Sequence, residues 1–192
     1  MFIKSWKKDI FTIPNLLSLF RLALIPVYVM IYLNAKDPAD YYLAAGILTV
    51  SCLTDLMDGK IARHFNMVTS LGKILDPVAD KATQFTLITC LTVKHKILRY
   101  LVALFVAKES FQLIAGGLRL RKKKMLKGAL ISGKICTTVL FISLILMVML
   151  PSLSTNAVNF IAIVDIIFMT IAFIEYIAAY FFMDSRFQTI ED

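Results

Sequence analysis

The stretch TDLMDGKIARHFNMVTSLGKILDPVADKA, residues 54–82, places four aspartates among segments that are otherwise apolar. Charged side chains are costly at membrane depth, so a chain that retains several of them there generally uses them. The aspartates form two pairs, Asp55 with Asp58 and Asp76 with Asp80. Spacings of three and four residues place both carboxylates of a pair on one face of a helix. These pairs are the first candidates for a functional site.

The composition outside this stretch is strongly apolar. Hydrophobic residues make up 59% of the 192 residues, and the mean hydropathy is +0.77. Soluble domains are usually about 45–50% apolar, and a soluble fold of this length could not bury the excess. The sequence therefore predicts an integral membrane protein. The three cysteines are scattered through apolar segments and are interpreted as packing residues, not as disulfide or zinc ligands.

Six apolar stretches approach the roughly 20 residues that a spanning helix needs. The prediction is an all-α integral membrane fold with six transmembrane helices, in which 1–192 forms a single domain. The basic and aromatic residues at 2–8 predict a short amphipathic segment at the membrane interface, with a plain basic tail as the alternative. The predicted spans are 13–33, 41–58, 75–93, 98–118, 131–150 and 157–182, and 59–71 is predicted to be a loop.

The distribution of basic residues predicts the orientation in the membrane. If the N-terminus is cytoplasmic, the inner segments carry thirteen Lys and Arg residues and the outer loops carry four. The sequence thus predicts a multi-pass protein of the plasma (inner) membrane, with both termini and the aspartates on the cytoplasmic side. The net charge is +8, and the charged residues cluster between the apolar runs. That placement favours anionic lipid headgroups as the partner, and not nucleic acid.

A two-helix hairpin would bring the two aspartate pairs together. Four carboxylates in a medium of low dielectric constant repel one another, and a cation must neutralise them. Arg63 and Lys81 supply only part of the positive charge. Oxygen-rich sites suit Mg²⁺ or Mn²⁺, and two such ions can clamp a phosphoryl group together with the entering and leaving oxygens. A purely structural network of ion pairs is the less favoured alternative.

Eight residues between 55 and 80 follow the pattern D-x2-D-G-x2-A-R-x8-G-x3-D-x3-D. This pattern resembles the signature of the CDP-alcohol phosphatidyltransferase family, and every signature position is matched. The resemblance implies a membrane enzyme that transfers a phosphatidyl group from CDP-diacylglycerol to an alcohol and releases CMP. Members of the family are often homodimers, so the resemblance also implies a homodimer.

The resemblance implies roles for individual residues. The four aspartates would hold two Mg²⁺ or Mn²⁺ ions, and Asp80 would also act as the base that deprotonates the acceptor hydroxyl. A planar guanidinium suits a diphosphate, and a glycine lets a ligand approach the backbone closely. The residues implied to contact CDP-diacylglycerol are Asn15, Ser18, Gly59, Ala62, Arg63 and Thr69.

The acceptor is suggested by three cations in the second half of the chain. Lys108, Lys134 and Arg119 lie where relatives place cations that hold the acceptor's phosphate, whereas a lysine that extends to the headgroups is the alternative. The fragments IPNLLSLFRLALIPV and GKILDPVADKA resemble the phosphatidylglycerophosphate synthases of the family, which implies glycerol 3-phosphate as acceptor. That group has an Arg-Glu pair where this chain has Lys108-Glu109. A cardiolipin synthase, with phosphatidylglycerol as acceptor, is therefore the alternative.

A channel or transporter would also retain aspartates at membrane depth. Such proteins are typically built from broken helices or inverted repeats, and the sequence shows neither. Three further charged residues have no assigned role at this point. Arg21 could face an internal cavity or a neighbouring helix, and Asp165 and Glu175 could face a cavity or a dimer interface.

Overall fold

The computed structural model of the chain describes residues 12–64, 72–121, 124–126, 130–182 and 187–189. Within these ranges, the side chains at 13–14, 52, 55–64, 73–74, 120–121 and in the two short strands are not described. The predicted interfacial segment at 2–8 and the predicted donor contact Thr69 lie outside the described residues.

Six helices account for most of the described backbone. They are α1 (Ile13–Asn34), α2 (Pro38–His64), α3 (Gly72–Leu91), α4 (Leu98–Arg121), α5 (Ile131–Met149) and α6 (Thr155–Phe182). A short antiparallel ribbon pairs β1 (Lys124–Leu126) with β2 (Phe187–Thr189). The regular secondary structure of the described residues is therefore helical apart from two strands of three residues each.

Four of the described helices are long and apolar enough to cross a membrane. Their candidate spans are Asn15–Asn34, Leu98–Arg119, Ile131–Met149 and Thr155–Phe182. The other two helices, α2 and α3, carry the signature aspartates, and each charged residue lowers the mean hydropathy of its segment. The prediction of a helical membrane protein is thus confirmed at the level of four apolar helices.

Local chemistry explains where α2 begins. Pro38 is the first helical residue, a position at which the missing N–H group would have had no helical partner. The carboxylate of Asp40 accepts hydrogen bonds from the backbone N–H groups of Lys36 at 2.9 Å and Asp37 at 3.2 Å. These two bonds hold the pKa of Asp40 below its usual range. The turn between α1 and α2 is therefore closed by groups next to it in sequence.

The end of α2 differs from the prediction. The helix continues to His64, so the loop predicted to begin at Gly59 was placed wrongly for 59–64. A single glycine inside a helix costs only about 1 kcal/mol relative to alanine. Good helix formers around Gly59, including Ala62 and Arg63, outweigh that cost. The consequence is that most of the signature lies on one uninterrupted helix.

The chain divides into two compact units. The first comprises Met1–Cys90 with Ile145–Pro151, and the second comprises Leu91–Leu144 with Ser152–Asp192. In the first unit, small buried residues, among them Ala44, Ala45 and Ala79, permit close contact between helices. In the second unit, a cluster of Leu130, Tyr176 and Ala179 packs against Phe111 and Tyr180.

A polar contact links α5 and α6 within the second unit. Asp165 is 1% exposed, and its Oδ1 accepts a hydrogen bond from the Ser143 hydroxyl at 3.0 Å. We expect Ser143→Ala to lower the free energy of unfolding by about 1 kcal/mol, because a buried acceptor then loses its donor. Asp165→Asn keeps an acceptor oxygen and should change stability less. Thermal unfolding in one detergent compares the variants.

The control for this contact is Thr138→Ala, because Thr138 lies on the exposed side of the same helix and bonds to a carbonyl of its own helix. If Ser143→Ala and Thr138→Ala shift the unfolding midpoint equally, the contact between Ser143 and Asp165 does not stabilise the unit.

Candidate active site

The backbone of α2 organises the first half of the signature. Asp55, Asp58, Gly59, Ala62 and Arg63 occupy positions i, i+3, i+4, i+7 and i+8 of one helix. Residues at these spacings share one helix face. The side chains at these positions are not described, and it is the uninterrupted helix that places the five residues on one face.

Three polar residues of α1 are buried at intervals of one helical turn. Asn15, Ser18 and Arg21 are 1%, 0% and 2% exposed, respectively. Buried polar groups in a spanning helix need partners within the protein. Two of these residues find them on α3: the Ser18 hydroxyl donates to Oδ1 of Asp76, and Nη1 of Arg21 donates to Oδ1 of Asp80 at 2.5 Å.

These two contacts establish how α1 and α3 are arranged in the first unit. Moving along α1 from Ser18 to Arg21 moves the partner along α3 from Asp76 to Asp80, and each step is about one helical turn. Between these two contacts the two helices therefore run in the same direction. The polar face of α1 is aligned with the carboxylates of α3.

The ion pair between Arg21 and Asp80 joins the interior of the unit to its surface. The Arg21 side chain is 2% exposed, whereas the Asp80 side chain is 46% exposed. A buried guanidinium is unfavourable unless an opposite charge compensates for lost hydration, and a charge-assisted hydrogen bond supplies that compensation. Asp80 is therefore held from inside by Arg21 while it is still accessible to a ligand.

Sequence reasoning did not assign Arg21 to the site. The structure decides between the two possibilities left open for it, because its guanidinium contacts a neighbouring helix. The available signal was its spacing, since Arg21 follows Asn15 and Ser18 on the same face of α1. We interpret Arg21 as a residue that positions the carboxylate of Asp80.

The described part of the site fits divalent cations in its donor chemistry. Asp76 and Asp80 present carboxylate oxygens on successive turns of α3, and both residues are partly exposed. Such oxygens are the ligands that Mg²⁺ and Mn²⁺ prefer. Among the side chains that the structure describes, no group of three or more metal-ligating residues occurs, and Asp55 and Asp58 are not among those side chains. The two-ion site remains a prediction.

Lys108, the first predicted acceptor cation, is buried in the second unit. It is 4% exposed, and its Nζ lies 2.7 Å from Oε1 of Glu109. The same ammonium lies 5.8 Å from the centroid of the Tyr176 ring on α6. This burial argues against the alternative in which Lys108 extends to the headgroups. The lysine is instead held by an acid and by an aromatic face.

Arg119 and Lys134, the other two predicted cations, differ in their surroundings. The Arg119 guanidinium donates to the backbone carbonyl of Tyr180 and lines an open groove of about 310 Å³. Lys134 is exposed on α5. The structure therefore brings Lys108 and Arg119 to α6 and leaves Lys134 at the surface.

Comparison with known proteins places these features in a family. Residues 11–180 match the model of the CDP-alcohol phosphatidyltransferase family. The chain is 33% identical over 170 residues to the CDP-diacylglycerol–glycerol-3-phosphate 3-phosphatidyltransferase of Aquifex aeolicus, a match that covers 85% of this chain and 93% of that protein. It is 45% identical over 71 residues to the Escherichia coli protein with the same name, which covers 37% of this chain and 38% of that protein.

A relative with a different name is also similar. The chain is 33% identical over 111 residues to the cardiolipin synthase (CMP-forming) of Streptomyces coelicolor. That match covers 57% of this chain and spans about half, 52%, of the Streptomyces protein.

Proposed function

The chain belongs to the CDP-alcohol phosphatidyltransferase family, and from that membership we propose that it transfers a phosphatidyl group from CDP-diacylglycerol to glycerol 3-phosphate. The products are phosphatidylglycerophosphate and CMP, and the role is phospholipid biosynthesis. The observation that carries this proposal is the similarity to the Aquifex protein, because its name states this reaction and the match covers 93% of its length.

The proposed chemistry is a direct displacement at phosphorus. The acceptor hydroxyl oxygen attacks the β-phosphorus of CDP-diacylglycerol, a new P–O bond forms, and the P–O bond to CMP breaks. The hydroxyl proton passes to the carboxylate of Asp80, which Arg21 holds through Oδ1. Ser18 orients Asp76 one turn away in the same manner. No covalent intermediate with the protein is needed.

The remaining contacts to the donor follow the signature. Asp55, Asp58, Asp76 and Asp80 would hold two Mg²⁺ or Mn²⁺ ions. The positive charge of the ions would offset the negative charge of the diphosphate and polarise its phosphorus. The face of α2 that carries the signature offers the nucleotide a surface without bulky side chains at Gly59 and Ala62. The proposed donor contacts are Asn15, Ser18, Gly59, Ala62, Arg63 and Thr69.

The acceptor phosphate is proposed to meet the cations of the second unit. Lys108 supports this proposal because it is 4% exposed and lies beside Glu109 and the Tyr176 ring. A buried ammonium prefers an anionic partner, and a phosphate supplies two negative charges or nearly so at neutral pH. Arg119 and Lys134 are proposed as further contacts of the same phosphate.

The arrangement in the membrane is part of the proposal. All six helices span the bilayer in this proposal, and α2 and α3 place their aspartates at the cytoplasmic surface of the plasma membrane. The basic residues outside the spans support this orientation, with both termini in the cytoplasm. We further propose that the protein works as a homodimer, as its relatives in the family often do.

A second candidate function is that of a cardiolipin synthase. The observation that favours it is the similarity to the Streptomyces protein, at 33% identity over 111 residues. In that case the acceptor would be phosphatidylglycerol, whose free hydroxyl would take the place of the glycerol 3-phosphate hydroxyl.

A panel of acceptors tests the proposal. The purified full chain would receive CDP-diacylglycerol and Mg²⁺ together with glycerol 3-phosphate, phosphatidylglycerol, inositol phosphate or serine, and CMP release would be recorded. We expect release with glycerol 3-phosphate and none without an acceptor. Release with phosphatidylglycerol alone would establish the second candidate. If folded protein releases CMP with none of the four acceptors, the assignment of CDP-diacylglycerol as the donor is also wrong.

A further inference from the structure

Tyr176 occupies space that a side chain at residue 133 would need. A Cβ atom added to Gly133 would lie 2.6 Å from the Tyr176 hydroxyl oxygen, 2.9 Å from its Cε2 and 3.1 Å from its Cζ. Cβ atoms do not approach other heavy atoms so closely, so any larger residue at 133 must displace the ring. A glycine inside a helix is unfavourable by about 1 kcal/mol relative to alanine. Gly133 leaves free the space that the Tyr176 ring occupies.

The Tyr176 hydroxyl is held by two other elements of the same unit. The side chain of Gln112 on α4 and the backbone of Leu130, just before α5, both hydrogen-bond with it. The residue is 6% exposed. A ring that fills a gap on α5 and is bonded at its tip to α4 has a single orientation. Tyr176 of α6 is thus fixed against both neighbouring helices.

That fixed ring presents a face to Lys108. The ammonium lies 5.8 Å from the ring centroid, within the range of a cation–π interaction. Glu109 holds the same ammonium at 2.7 Å. The lysine ammonium is carried on a flexible stem of four carbons, so the neighbouring groups determine the position of the ammonium. Here the neighbours are one acid and one ring.

We propose that Tyr176 is a positioning residue for acceptor binding. Its ring and Glu109 together hold the Lys108 ammonium where it meets the acceptor's phosphate, and Gly133 is glycine because that ring must be admitted. This inference rests on the proposed function, since it needs a phosphorylated acceptor. Tyr176 itself contacts neither substrate, so its effect falls on acceptor binding and not on the chemical step.

The direct test is Gly133→Ala, with Gly117→Ala as the matched control. A Cβ at Gly117 of α4 would meet nothing within 4 Å. We expect Gly133→Ala to raise the KM for glycerol 3-phosphate about tenfold, with kcat and the KM for CDP-diacylglycerol within about twofold of wild type. Gly117→Ala should leave all three constants unchanged. An unchanged acceptor KM in Gly133→Ala would overturn the inference.

A double variant separates positioning from general damage to the fold. Lys108→Ala alone should raise the acceptor KM, and adding Gly133→Ala to it should change that KM by less than about twofold, because the charge to be positioned is gone. If the two substitutions instead multiply in their effects, Gly133 and Tyr176 act independently of Lys108, and the inference is wrong.

Tyr176→Phe provides a second variant if Gly133→Ala does not yield folded protein. Phenylalanine fits the space at Gly133 but loses the bonds to Gln112 and Leu130, so we expect the acceptor KM to rise about threefold with kcat retained. An unchanged acceptor KM in this variant would count against the inference. Wild-type protein that does not use glycerol 3-phosphate would overturn the proposed function itself, which is a distinguishable result.

Discussion

Replacing Asp80 with asparagine is expected to lower kcat for CMP release about a thousandfold. Asparagine has the size of aspartate, and its side-chain oxygen can still accept the hydrogen bond that Arg21 donates at 2.5 Å. It cannot take the proton of the acceptor hydroxyl. Asp80→Asn also removes the charge that compensates the buried Arg21 guanidinium, so we expect the unfolding midpoint to fall by several degrees. CMP release is therefore measured below the unfolding midpoint of the variant, where the protein is folded.

The matched control for Asp80→Asn is Asp37→Asn. Asp37 is an exposed aspartate in the turn before α2 and lies away from the proposed chemistry. It should keep wild-type activity in the same assay. If Asp80→Asn retains more than about a tenth of wild-type kcat, another group takes the proton and the role assigned to Asp80 is wrong.

Replacing Arg21 with alanine is expected to have the next largest effect. We expect kcat/KM to fall about a hundredfold, because Asp80 loses the group that orients it and small misplacements are costly in catalysis. The loss of stability should lie well below the value of about 3–5 kcal/mol typical of a fully buried pair, because the Asp80 carboxylate that remains is half-exposed and hydrated. CMP-release kinetics and thermal unfolding of the same preparation measure the two effects.

Two further variants define the origin of the Arg21 effect. Arg21→Lys keeps the charge but loses the planar multi-donor group, so its activity should lie between those of wild type and Arg21→Ala. Arg99→Ala removes an exposed arginine at the start of α4 and should leave both the rate of CMP release and the unfolding midpoint unchanged. Activity of Arg21→Ala within about twofold of wild type would contradict the positioning role.

Helix positions were largely predictable because they depend on local composition. The predicted spans 98–118 and 131–150 compare with Leu98–Arg121 and Ile131–Met149. The family was also predictable, since its signature is a spacing of residues within one segment, and the match over residues 11–180 confirms it. The error at Gly59 came from reading one glycine as the end of a helix that its neighbours sustain.

The partners of the polar residues were not predictable in the same way. The partner of Arg21 lies 59 residues away, and the partner of Ser18 lies 58 residues away. Nothing local to α1 distinguishes Asp80 from the other aspartates as the partner of Arg21. The ribbon that pairs Lys124–Leu126 with Phe187–Thr189 is similarly distant in sequence, and three-residue strands carry little signal of their own.

For this protein, the amino-acid sequence alone was enough to establish apolar helices, a membrane location and the phosphatidyltransferase signature. The helices and the signature depend on composition or spacing over fewer than about 30 residues, and the membrane location depends on the apolar composition of the whole chain. Only the packing of the helices assigned Arg21 to Asp80 and Lys108 to the face of Tyr176. Such contacts form between side chains from separate helices, and their energy depends on relative position, which no single segment encodes.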